Sequence, residues 1–291
     1  MPVRSHAFKR LVLGLQPNAS GRAMKAAVEF ADLLGLDLLG LFLEDPHLKE
    51  LAGIPFLREF KLLGGGWRPI DLDRLSRDFE LAARNAERIF AEAARELSTK
   101  WQFEVVRGLT RENFASVSRS GDIIMIVQPA NPAEHATRQF AWLAEAAFRS
   151  ASAVMLAPPQ AVRPAGPIIA IAASPHDPAI RTAATIATAV GEELVIVQAY
   201  TGVADDGVRK LSEQPGLKIS KVAAGLNLLL DPSSLSSLLG QLKGRLLVLT
   251  RGATAIDALV LAGLFRHMAV LAIEPADTLP NAAPQTKPAA L

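Results

Sequence analysis

The sequence predicts an α/β protein made of two successive doubly wound units, each with a five-stranded parallel sheet. Three observations predict it. Short apolar runs without alternation, such as Leu11-Val12-Leu13 and Leu246-Leu247-Val248-Leu249, read as strands covered on both faces. These runs alternate with helical stretches, which implies right-handed crossovers and parallel pairing. The chain also echoes itself. Phe148-Arg149 runs into Ala153-Val154-Met155-Leu156-Ala157-Pro158, and Phe265-Arg266 runs into Ala269-Val270-Leu271-Ala272-Ile273-Glu274-Pro275. The starts match too: Leu11 to Pro17 and Ile168 to Pro175 each precede an alanine-rich stretch.

Each element has a local reason. Residues 10–15 form the first strand, and Asn18 or Ser20 caps a helix that Gly35 ends. Residues 37–43 form the second buried strand. Asp71 caps the longest helix, over 71–99, whose apolar residues at Leu72, Leu75, Phe79, Ala82, Ala83, Ala86, Ile89, Phe90, Ala93 and Leu97 make one stripe of 3.6 period. Strands follow at 103–106, 123–127 and 153–156, with helices near 111–119 and 134–149. The second half repeats this order with strands at 168–172, 194–199, 217–222, 246–250 and 269–273. Its helices are expected at 178–190, 233–243 and 254–265. Asp177-Pro178 opens the first of them with a cap and a proline at the first helical position.

The spacing between matching elements shrinks from about 157 residues to about 117, so the first half carries about 40 extra residues. We therefore read a first domain over 1–158 with an inserted segment at 45–67 and the long helix at 71–99. A proline-rich linker at 159–165, a second domain over 166–275 and a disordered tail at 276–291 complete the chain.

Composition excludes several functions. The 31 basic and 29 acidic residues nearly balance and are interleaved, so no basic field for nucleic acid forms. With no cysteine, thiol chemistry and disulfides are absent. No apolar run approaches the roughly 20 residues that span a bilayer, and residues 11–15 are too short for a signal-peptide core. The expectation is a cytoplasmic protein without membrane insertion.

The element order, with a helix after the first strand and an Arg-rich helix end running into an apolar strand, resembles the tandem form of the universal stress protein family, over residues 10–158 and 166–275. That resemblance implies a strand order 3-2-1-4-5, frequent dimers and, in one branch, ATP binding. The ATP branch has an acidic residue ending the first strand and a glycine-rich G-x2-G-x9-G-[ST] loop after the fourth, where backbone N–H groups approach phosphates. Here the first strands end Leu15-Gln16-Pro17 and Ala173-Ser174-Pro175, without a carboxylate. After the fourth strand, the first half reads Gln128-Pro129-Ala130-Asn131-Pro132, whose prolines remove two donors, and Trp142 stands near the later small-residue position. The first half is therefore expected not to bind ATP tightly. The second half keeps Thr250-Arg251-Gly252-Ala253-Thr254. Any surviving cofactor site, for ATP or another adenine nucleotide, would use Ser174, Thr250, Arg251, Gly252 and Thr254; the competing reading is an ordinary turn with Thr254 as cap.

Other chemistry is thin. The five histidines lack paired ligand spacing, and no nucleophile elbow or phosphate-binding lysine loop occurs. His176-Asp177 reads as a helix cap instead of a dyad. No catalytic residue, metal or bound cofactor is expected. Leu48, Leu51, Ile54, Phe56, Leu57, Phe60 and Trp67 make the inserted segment unusually apolar, so it must be covered, as a lid on its own domain or as an interface. Gly64-Gly65-Gly66 reads as its hinge. The favoured function is a non-enzymatic, stress-linked regulatory or protein-interaction module, as a homo-oligomer or with another protein partner. The alternatives are a nucleotide or small-anion sensor and, more distantly, an enzyme or electron carrier on the same architecture.

Overall fold

The computed structural model describes residues 8–15, 21–44, 54, 58–61, 66–69, 71–96, 98, 100–107, 119, 121–128, 138–151, 153–158, 163, 165–200, 211, 216–224, 231–252, 263 and 268–275. The first half contains β1 (Arg10–Leu15), α1 (Gly21–Leu34), β2 (Asp37–Glu44), β3 (Arg58–Lys61), β4 (Gly66–Pro69) and α2 (Leu72–Ala93). A 3-10 turn (Ala94–Glu96), β5 (Trp101–Arg107), β6 (Asp122–Val127), α3 (Arg138–Ser150) and β7 (Ala153–Ala157) follow. The second half contains β8 (Ile168–Ala172), α4 (Pro178–Val190), β9 (Leu194–Gln198), β10 (Ile219–Ala223), α5 (Pro232–Leu242), β11 (Leu246–Thr250) and β12 (Ala269–Ile273). Helices expected near 111–119 and 254–265 fall almost wholly outside the described residues.

The main sheet runs β10-β9-β8-β11-β12-β7-β6-β1-β2-β5. Numbering only the main-sheet strands of each half from one, both halves carry the order 3-2-1-4-5. Every main-sheet pair within a half is parallel. The sequence reading of two five-stranded sheets needs one amendment: β7 and β12 pair antiparallel, Met155 opposite Leu271, and fuse them into a single ten-stranded sheet. Both are short, fully buried apolar strands, so pairing them removes two hydrophobic edges at once.

Side chains alternate between two cores. Leu11, Leu13 and Leu15 face the layer of α1, α2 and α4, while Val12 joins the opposite layer with α3 and α5. α1 and α4 touch across the first face, so the halves share a core as well as a sheet. Gly40 in β2 is required by close packing: a Cβ there would meet the rings of Phe103 and Phe90 at 2.9–3.0 Å. On the amino edge of the first half, Arg10 makes two bonds to the buried Asp122, at 3.1 and 2.6 Å.

The caps at Asp71 and Gly35 behave as the sequence suggests, whereas Asn18 and Ser20 lie outside the described residues. Asp71 accepts from the Arg74 amide at 3.0 Å, and Gly35 and Gly191 end their helices with positive φ. Asp231 caps α5; the Ser234 hydroxyl and the amides of Ser233 and Ser234 hold its carboxyl below the usual carboxylate range. The long helix stops at Ala93 and tightens into the 3-10 turn, earlier than the expected 99.

The structure describes part of the inserted segment. β3 and β4 form an antiparallel hairpin with Phe60 opposite Trp67, and Gly66 is the first residue of β4, paired with Lys61. Gly64 and Gly65, the rest of the glycine run read as a hinge, lie outside the described residues. The apolar residues are also not all covered: Ile54 is 50% exposed, Phe60 52% and Trp67 65%. Their exposure in the single chain leaves the interface alternative standing, since a two-stranded ribbon is marginal in water unless something covers it. Leu48, Leu51, Phe56 and Leu57 lie outside the described residues.

Candidate functional site

In a doubly wound sheet, ligands bind at the carboxyl ends of strands where the winding reverses. The second half reverses between β8 and β11, which are adjacent and parallel. The residues that end these strands, and those just after them, are Ala173, Ser174, Thr250, Arg251 and Gly252.

The sequence shows no carboxylate ending β8, yet the fold supplies one from five residues beyond the strand. Asp177 is buried and caps α4, accepting from the Ala179 amide at 3.0 Å. Its other oxygen accepts from the Ala173 amide at 2.9 Å, directly over the end of β8. The buried Thr250 hydroxyl, ending β11, donates to the oxygen that also caps the helix. One carboxylate thus ties strand, helix and neighbouring strand together. The cap was legible in Asp177-Pro178; the bond to Thr250 was not, because it joins residues far apart in sequence.

Arg251 turns away from this crevice. Its backbone amide bonds the Ile273 carbonyl at 2.8 Å, and its guanidinium crosses β12 to the junction of the halves. There it donates to the carbonyls of Phe148 and of Ala151 (3.2 Å), pairs with Glu274 at 3.0 Å and lies 5.9 Å from the centre of the Phe148 ring. The cation closes the carboxyl end of α3, where backbone carbonyls lack partners and the helix dipole is negative. Its Nε is buried with no partner.

Of the residues expected to hold an anion, the structure brings Thr250 to Asp177 and commits Arg251 to the junction. Ser174 is exposed, and its carbonyl accepts from the Asp177 amide at 3.2 Å. Gly252 has φ 75°, and among the described residues nothing lies within 4 Å of where a Cβ would sit. Thr254 lies outside the described residues. This edge therefore holds a buried carboxylate and an arginine whose guanidinium is engaged by two carbonyls, Glu274 and the Phe148 ring.

At the matching place in the first half, Gln128 follows β6 and its amide bonds the Ala157 carbonyl at 2.8 Å. Its side chain is buried and Nε2 has no partner. The backbone of Trp142 lies in α3; Pro129 and Pro132 are outside the described residues. Among the described residues, no cluster of His, Asp or Glu could hold a metal, and no helix is long and apolar enough to cross a membrane.

No protein-family model matches this sequence. No curated protein matches it either. Solved structures do match. A universal stress protein from Archaeoglobus fulgidus superposes with a TM-score of 0.61 at 12% identity, covering 94% of this chain and 98% of its own. A Pseudomonas aeruginosa protein named for the same family gives a TM-score of 0.50 at 16% identity, covering 93% and 95%. At such identities the likeness establishes the fold, which is that of the universal stress proteins along nearly the whole chain.

Proposed function

We propose that this chain is a non-enzymatic, tandem universal-stress-like protein that works as a stress-linked regulatory and protein-interaction module, without tight ATP binding in its N-terminal half. The observation that carries the reading is the fate of Arg251. The cation best placed to meet a phosphate in the second half is bonded instead to two carbonyls and Glu274. In the first half, the prolines after Gln128 lack the N–H groups that a phosphate would need. A scaffold that keeps the strand order and gives up phosphate donors keeps its surfaces as its means of action.

Calorimetric titration of ATP–Mg into the full chain tests this, and no heat of binding is expected. Micromolar affinity, with shifts mapped to residues 128–142, would overturn the proposal. Binding mapped to residues 250–254 and lost in Arg251→Ala would favour the sensor reading. That no described atom lies within 4 Å of a Cβ at Gly252 is an observation on that side.

A further inference from the structure

We propose that the β3–β4 hairpin is a self-association surface, occupied by the same hairpin of a second copy of this chain stacked against it about a two-fold axis. This rests on the interaction-module reading and names its partner. The hairpin pairs only β3 with β4, and an isolated two-stranded ribbon is marginal in water without a covering layer. Its cross-strand aromatic pair, Phe60 and Trp67, packs ring to ring at 5.3 Å while both rings remain more than half exposed. Arg58 is two residues from Phe60 and therefore on the same face, and it too is exposed.

A face with a cation at one end and two aromatic rings beside it is complementary to itself. A half-turn about an axis between Arg58 and the aromatic pair sets each Arg58 over the rings of the other copy, a cation–π arrangement. The other exposed large apolar side chains among the described residues are Ile54, Leu81, Trp101 and Val105. The free edges of the sheet, β5 and β10, carry exposed Glu104 and Lys221 at mid-strand, and such charges discourage strand addition. A two-fold pairing of β5 centred at mid-strand would place Glu104 against itself. The net charge of +2 leaves no strong long-range repulsion between copies.

Light scattering of the full chain over about 1–100 μM should show mass rising from 31.0 kDa to twice that value. The doubly substituted Phe60→Ser, Trp67→Ser protein should stay monomeric over the same range with unchanged circular dichroism. Arg58→Glu, which removes no apolar surface, should weaken association at least about tenfold. A wild type that is monomeric throughout overturns the proposal, and so does a dimer that both variants leave intact. Heat on titration with ATP–Mg would instead overturn the functional reading, whatever the mass.

Discussion

Strands β6 and β11 hold the same place in the two halves, yet the residues that follow them behave in opposite ways. Gln128 and Arg251 each donate a backbone amide to the neighbouring strand, to Ala157 and Ile273 respectively, both at 2.8 Å. The Gln128 side-chain nitrogen is buried and unpartnered, while the Arg251 guanidinium grips the end of α3 and Glu274. The lesson is that the repeat is a repeat of backbone pairing. Main-chain bonds tolerate any side chain at that slot, so sheet order survives while strand-end chemistry drifts apart.

The largest test of that contrast is Asp177→Ala. It strands the Ala173 and Ala179 amides and the Thr250 hydroxyl, so denaturant unfolding should show a loss of roughly 3 kcal/mol. An unchanged midpoint would mean that the crevice of the second half is not held by its own carboxylate. Arg251→Ala comes next, leaving a helix end and Glu274 without their cation; a loss of about 2 kcal/mol is expected in the same measurement. A neutral result would place the junction's strength entirely in the β7–β12 pair and the shared core. Gln128→Leu should move the other way, gaining up to about 1 kcal/mol because it deletes a buried, unbonded amide. If it destabilises, Gln128 has a partner in the working protein and the two halves are more alike than they look.

Much of the scaffold was legible. β8, α4, β11 and β12 fall at their expected bounds because each is a buried apolar run, or opens on an Asp-Pro cap, and these signals are local. The fusion of the two sheets was not legible. Ala153–Ala157 reads the same whether its outer edge is bare, covered or paired, since burial on both faces says nothing about the edge. The hairpin was missed because four-residue strands such as Arg58-Glu59-Phe60-Lys61 mix charge and aromatic residues without enough length to show a period. The candidate site was legible by position and not by chemistry: Thr250 and Arg251 sit at the expected strand end, but their partners, Asp177 and Phe148, lie 73 and 103 residues away.

The antiparallel junction has a consequence for how the molecule meets others. With β7 and β12 running in opposite directions, the carboxyl rims of the two halves lie on opposite sides of one sheet. The rims are separated by the length of the strands, about 17 Å for five residues at about 3.3 Å each. A rigid flat body can rest against one rim or the other and never both. Two bodies held there at once would face away from each other, joined by a continuous sheet, which is the geometry of a double-headed connector.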